Sequence, residues 1–236
     1  MRSIRLNPCM GGIALDLQTD GGTATSFSHT CTGSNRVLVV CQVDVNYTPS
    51  APTYNSVAMT QRVAARNVNS EHRSTIYVLQ NPASGANTVA LTAFNAPVTG
   101  VVSFSGADQN IQINGATGTN TGTGNVPDPS VTITTLYANS FLVDAISLEQ
   151  AGNDQTINVG TPTRNTISQA ETSPTGEPQA GIYDSQNGGI SGSQAIGTYT
   201  YKATFSGTNA SAKRWAYAII EVLEVQPNGN FFLLFE

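Results

Sequence analysis

The chain has 236 residues, of which 39% are hydrophobic and only 11% charged, with a formal net charge of −5. Its ten basic residues are scattered, and only Lys213 and Arg214 are adjacent, so it lacks the basic stripe that nucleic-acid binding requires. No run reaches the roughly 18 consecutive apolar residues of a membrane span, which leaves neither nucleic acid nor membrane as an expected partner.

Residues 1–10 contain no apolar core of the signal-peptide kind. They read as a short N-terminal arm on a protein made in a host cytoplasm. From residue 11 onward, strand-like runs recur between turn residues. The clearest cover 35–47, 74–80, 88–94, 98–105, 130–136, 140–149, 197–206 and 212–225. Weaker ones cover 12–18, 23–30, 56–63, 155–159, 165–169 and 179–184. No stretch of ten residues shows a helical stripe, and the punctuation is Gly, Asn and Pro, so the chain reads as all-β. Within 197–206, Tyr199, Tyr201, Ala203 and Phe205 alternate with Thr198, Thr200, Lys202 and Thr204, which predicts one buried and one wet face. Within 212–225 both faces are apolar apart from Glu221, which predicts a strand between two layers. The expected core includes Val37, Val39, Val102, Phe104, Phe141, Val143, Phe205 and Trp215.

Residues 115–129, rich in Gly, Thr and Asn, read as a long polar surface loop joining two halves. Each half has a similar strand after a turn, at Asn35 to Val40 and at Asn139 to Asp144. The expectation is one jelly-roll-like two-sheet β-sandwich over 11–225, with each half feeding strands to both sheets. Residues 226–236 form a C-terminal arm or edge strand. Its Phe231, Phe232, Leu233, Leu234 and Phe235 are too apolar to be left free, and they are the expected assembly contact.

Chemistry-bearing residues are few. Cys9, Cys31 and Cys41 are an odd set with no secretory signal, which argues against a disulfide framework; a Cys31–Cys41 bridge stays open. His29 and His72 lie in polar contexts without metal-ligand spacing and are expected at the surface. Asp16 and Asp20 share a face by strand alternation. Followed by Gly21 and Gly22, they offer a loose match to a calcium site, but too few oxygens gather there, and a solvated turn is expected. Asp144 and Glu149 fall on opposite faces of one strand, and Glu171, Glu177 and Asp184 show no fixed spacing, so no carboxylate pair suits glycoside hydrolysis. Tyr47, Tyr54, Tyr137 and Tyr183 lie at strand ends or in loops, where a buried ring with a wet hydroxyl is the expected arrangement. No catalytic residue, metal ligand or cofactor site is expected, and the protein reads as a non-enzyme.

Three segments carry a resemblance. They are Ser34-Asn35-Arg36-Val37-Leu38-Val39-Val40, the turn Tyr77-Val78-Leu79-Gln80-Asn81-Pro82-Ala83-Ser84-Gly85, and Val102-Ser103-Phe104-Ser105-Gly106-Ala107-Asp108-Gln109. Over about residues 23–222 the chain resembles a family of jelly-roll domains found in phage virion proteins and bacterial surface proteins. That resemblance implies a sandwich with a structural or adhesive role and supplies no catalytic residue. The expectation is a virion structural protein, a capsid decoration (cement) or similar auxiliary subunit. Its partners would be the major capsid protein or tail and neck subunits, and it would form a homo-oligomer. The alternative is a receptor- or carbohydrate-binding module.

Overall fold

The computed structural model describes residues 12–45, 50–67, 72–92, 97–111, 114–126, 129–150, 156–159, 165–171, 179–187, 196–206 and 212–225. Both terminal arms, and with them Cys9 and Phe231 to Phe235, lie outside the described residues, as do Tyr47 and Glu177. The strands in chain order are β1 (Ala14–Gly22), β2 (Ser26–Cys31), β3 (Val37–Val45), β4 (Thr53–Tyr54), β5 (Val57–Ala58), β6 (Thr60–Arg66), β7 (His72–Gln80), β8 (Gly85–Ala90) and β9 (Val98–Ser105). They continue with β10 (Thr117–Val126), β11 (Ser130–Thr134), β12 (Ser140–Gln150), β13 (Thr156–Val159), β14 (Asn165–Glu171), β15 (Gln179–Asn187), β16 (Thr198–Ser206) and β17 (Ala212–Val222). The fold is all-β and every strand pairing is antiparallel. Among the described residues no helix is long and apolar enough to cross a membrane.

The strands form two five-stranded sheets, β1-β9-β3-β7-β6 and β10-β17-β12-β15-β14, and two smaller ones, β2-β8-β4-β5 and β11-β16-β13. No sheet mixes strands from the two halves of the chain. The packed antiparallel sheets are those of a β-sandwich, but the expectation that each half feeds strands to both sheets is corrected: among the described residues each half builds its own large and small sheet. Replacing β1, β2, β3, β6, β7, β8 and β9 by β10, β11, β12, β14, β15, β16 and β17 converts one five-stranded order into the other. It also carries β2-β8 onto β11-β16. The registers follow. Val37 pairs Phe104 and Gln80, while Phe141 pairs Val222 and Gln186. The turn before each central strand contains an Asn in the left-handed region, Asn35 at φ 49° and Asn139 at φ 58°, a conformation Asn tolerates better than most residues. The chain is an internal structural duplication.

The two large sheets face each other. Edge β1 lies against edge β14, edge β6 against edge β10, and central β3 against central β12. The exchange that maps one half onto the other maps this interface onto itself, which is the signature of a pseudo-twofold. Three apolar layers result. The middle one joins the halves: Val37, Val39, Cys41, Ile76, Val102 and Phe104 pack with Phe141, Val143, Ala145, Ala218, Ile220 and Val222. One outer layer lies inside the second half, around Val131, Ile133, Leu142, Tyr201, Trp215 and Tyr217. The other lies inside the first half, around Cys31, Leu38, Val40, Tyr54, Tyr77 and Val89. This explains why β3, β12 and β17 are apolar on both faces. Seven of the eight expected core residues are buried; the eighth, Phe205, has its side chain outside the described set. Past the sheets, the ends of β9 and β17 join across the pseudo-twofold. Ala107 bridges Glu224, Asp108 N donates to Leu223 O at 2.8 Å, and Val225 N donates to Gly106 O at 2.9 Å.

The expectation of a loop over 115–129 is also corrected. Residues 117–126 form β10, paired in regular register with β17 from Thr117 to Thr123. Its glycines have a packing reason. A Cβ on Gly122 would sit 2.6 Å from Trp215 Nε1, and one on Gly118 would run into the Thr132 carbonyl. The composition that suggested a flexible tether is what lets a strand pass beneath the Trp215 ring and β11.

Candidate functional site

In each half a carboxylate ties a turn to the sheets, half-buried Asp16 in the first and fully buried Glu221 in the second. In the first half β1 has a register shift between Leu15 and Leu17. The bulge turns Asp16 toward the small sheet, where Oδ2 accepts from Thr32 N at 2.7 Å and from Ser103 Oγ at 2.9 Å, and Oδ1 accepts from Thr32 Oγ1. Burial opposes ionisation of Asp16, but hydrogen bonds from Thr32 and Ser103 and the neighbouring His29 hold its carboxyl below the ordinary value. In the second half the residue matching Ser103 is Glu221, fully buried on β17. Its oxygens accept from Ala116 N at 2.8 Å, Leu136 N at 3.0 Å, Tyr137 N at 3.2 Å and Ser140 Oγ at 2.9 Å. Both acids thus satisfy backbone donors in the turn that follows β2 or β11. Glu221 was visible in the sequence only as the acid interrupting an apolar run; its role depends on turns some 85 and 105 residues earlier.

The bulge also separates Asp16 from Asp20. Asp20 points to the opposite face, where its Oδ1 accepts from Gly22 N at 2.8 Å and from Ser168 Oγ on β14. Their expected shared face is therefore corrected: one extra residue in the strand changes the parity of all that follow. Asp20 stays exposed at the rim of the middle layer.

Both histidines are buried, which corrects the expected surface positions. His29 alternates inward with Phe27 and Cys31 on β2, and His72 alternates inward with Ser74 and Ile76 on β7; polar sequence neighbours do not reveal the pleat. His29 Nδ1 pairs with Thr19 Oγ1 at 2.7 Å, and its Nε2 has no hydrogen-bond partner. Burial lowers its pKa to about 4 against the pull of Asp16. His72 Nδ1 meets Ser147 Oγ across the middle layer at 3.3 Å, and burial likewise lowers its pKa to about 4. Both rings are neutral at pH 7.

Tyr54 is wholly buried beneath the His29 ring, its centroid 6.5 Å away. Its hydroxyl is surrounded by the carbonyls of Gly85 at 3.1 Å and His29 at 3.2 Å, and burial raises its pKa to about 12. The expected wet hydroxyl is therefore corrected at this position. Cys31 and Cys41 are free thiols in different layers, on opposite sides of the first large sheet, and burial pushes the Cys31 pKa up. Asp144 is buried with the Tyr217 hydroxyl donating to it. The side chains of Glu149, Glu171, Tyr183 and Asp184 lie outside the described set.

Asp16 and Glu221 accept several donors each, the imidazoles are held neutral, and the Cys31 thiol is kept protonated. The outward faces differ in character. On the second small sheet Thr132 and Thr200 meet at 3.1 Å and Thr134 and Thr198 at 2.8 Å, all exposed. At one end of that sheet Leu136, Tyr137 and Ile196 are exposed together, joined by the Thr135 N to Gly197 O bond of 3.0 Å. Comparison of the chain with protein-family models, with curated proteins and with solved structures gave no match to any of the three.

Proposed function

We propose that this protein is a structural subunit of a bacteriophage particle, a head decoration (cement) protein or similar auxiliary subunit, working through contacts with other virion proteins and not through catalysis. The observation that carries this reading is the way polar side chains are distributed. The buried Glu221 and both imidazoles are engaged in joining turns and layers, while the outer face of β11-β16 carries four exposed threonines and a single charge, Lys202. Uncharged, β-branched surface costs little to cover with a neighbour. Two sandwich halves bound through a shared apolar layer also make a stiff unit, suited to bridging subunits. Residues 231–235 complete the reading as an arm that docks on an adjoining chain.

The test is immunogold labelling and protein mass spectrometry of particles purified from the encoding phage's lysate, with the wild-type protein and with residues 228–236 deleted. The wild type is expected at stoichiometric copy number, and the truncated protein is expected folded but missing from particles. A protein absent from purified particles overturns the reading; a truncated protein that still decorates them overturns the role of the arm.

A second reading, a receptor- or carbohydrate-binding module, is favoured by the exposed Leu136, Tyr137 and Ile196. Exposed apolar and aromatic side chains grouped at one tip suit stacking against a sugar face. Glycan-array binding that is lost with Tyr137→Ala would select it.

A further inference from the structure

We propose that β10 is a self-complementary edge that pairs antiparallel with β10 of a second copy of this chain, joining the two five-stranded sheets of two molecules into one continuous sheet. This inference goes beyond a virion role and stands without it. Four edges bound the two large sheets, and three are obstructed in the manner of protected edges. β1 has register shifts at Leu15/Leu17 and Asp20/Gly22 and carries Asp16 and Asp20. β6 has a shift at Gln61/Val63 and carries Arg62 and Arg66. β14 has a shift at Thr166/Ser168 and ends on Glu171. β10 has its shift only beyond this stretch, between Thr123 and Val126; from Thr117 to Thr123 it runs seven residues unbroken, with no charged residue and no proline.

The direction of its free hydrogen-bonding groups follows from the pairing with β17. Glu221 N donates to Ala116 O at 2.9 Å, which makes 116 and 221 a hydrogen-bonded pair. Even-numbered residues of β10 therefore face β17, and the N–H and C=O groups of Thr117, Thr119, Thr121 and Thr123 face outward. In agreement, Thr121 N bonds to its neighbour's side chain, Asn120 Oδ1, at 2.9 Å. Among the described residues β10 has a single hydrogen-bonded strand neighbour.

The sequence of this edge selects its occupant. Residues 117–123 read Thr-Gly-Thr-Asn-Thr-Gly-Thr, the same in both directions about Asn120. Antiparallel pairing of two copies about Asn120 places Thr119 opposite Thr121, Thr117 opposite Thr123 and Gly118 opposite Gly122. Every threonine then meets a threonine, the pairing this protein already forms on β11-β16, and cross-strand Thr pairs of this kind are favourable. The four threonines of β10 are exposed, so the pairing buries no charge. Asn120 faces its own copy as a non-hydrogen-bonded pair, with a Cα separation of about 4.5 Å.

The test is sedimentation equilibrium of the full chain. The wild type is expected at twice the chain mass. Thr121→Pro removes an outward donor that β17 does not use, one per copy; it should keep the strand spectrum and raise the dimer dissociation constant roughly tenfold or more. The double variant Thr119→Lys with Thr121→Lys sets like charges opposite each other and should give monomer without touching the backbone, which keeps the test valid if the proline variant does not fold. In a Cys9→Ser background, Asn120→Cys should form a disulfide-linked dimer on mild oxidation. A wild type that stays monomeric at high concentration, a dimer indifferent to the lysine pair, a failure of Asn120→Cys to cross-link, or a dimer lost on deleting residues 228–236 overturns the proposal.

Discussion

Phe104→Ala tests whether the two halves are one cooperative body. Phe104 is fully buried, stands on β9 opposite Val37, and its ring lies 5.0 Å from that of Phe141 in the other half. Truncation empties a site in the layer the halves share. Such a deletion costs about 3–5 kcal/mol, of which about 0.5–1.5 kcal/mol belongs to the ring pair. For a chain of this size that is a fall in Tm of roughly 6–20 °C. The single tryptophan, Trp215, lies in the outer layer of the second half, so it reports on a half that does not contain the substitution. Urea and thermal transitions followed by Trp215 fluorescence and by far-ultraviolet circular dichroism should shift together. A Trp215 transition that stays in place while the dichroism curve splits would refute the shared-core argument.

Three further outcomes follow from the buried polar groups and the close packing. Glu221→Gln leaves one acceptor oxygen for several converging donors and adds an amide that must donate among them; a loss of about 1–3 kcal/mol or more is expected in urea melts. His29 and His72 have folded pKa values near 4 against about 6.5 unfolded. The unfolded chain therefore binds more protons between those values, and stability is complete above about pH 6.5 and falls as pH drops toward 4. The slope is up to about 1.4 kcal/mol per pH unit per ring. Urea midpoints at pH 5 and pH 7.5 should show it, and replacing both rings by Gln should flatten it. Gly122→Ala drives a methyl into the Trp215 indole and should cost about 1–3 kcal/mol with altered Trp215 fluorescence, whereas Thr123→Ala, on the exposed side, should leave that fluorescence unchanged.

The all-β class and the strongest strands were legible because side-chain alternation is a local property. β3, β12 and β17 announce burial on both faces, and β16 shows its wet threonine face. What escaped depends on residues distant in sequence. The partition into two self-contained halves is set by β17 inserting between β10 and β12, and by β9 inserting between β1 and β3. β10 was hidden because its glycines answer to Trp215 and Thr132 rather than to any local pattern. The parity of Asp16 and Asp20 was lost to a single bulged residue, and the burial of both histidines to pleat positions that polar neighbours do not signal. Phe231 to Phe235 lie outside the described residues, so the assembly role proposed for them rests on their apolar sequence.

The place of β17 has a consequence for synthesis. The first large sheet has all its strands once residue 105 is made, but the second lacks an inner strand until residues 212–222 emerge. Throughout that interval Val37, Val39 and Phe104 have only part of their covering layer. A nascent chain stalled before β17 would present a large apolar sheet face to its surroundings, the kind of surface that chaperones hold and that concentrated chains aggregate through. Slow translation of the second half, or a premature stop within it, should therefore yield insoluble protein rather than a soluble half-molecule.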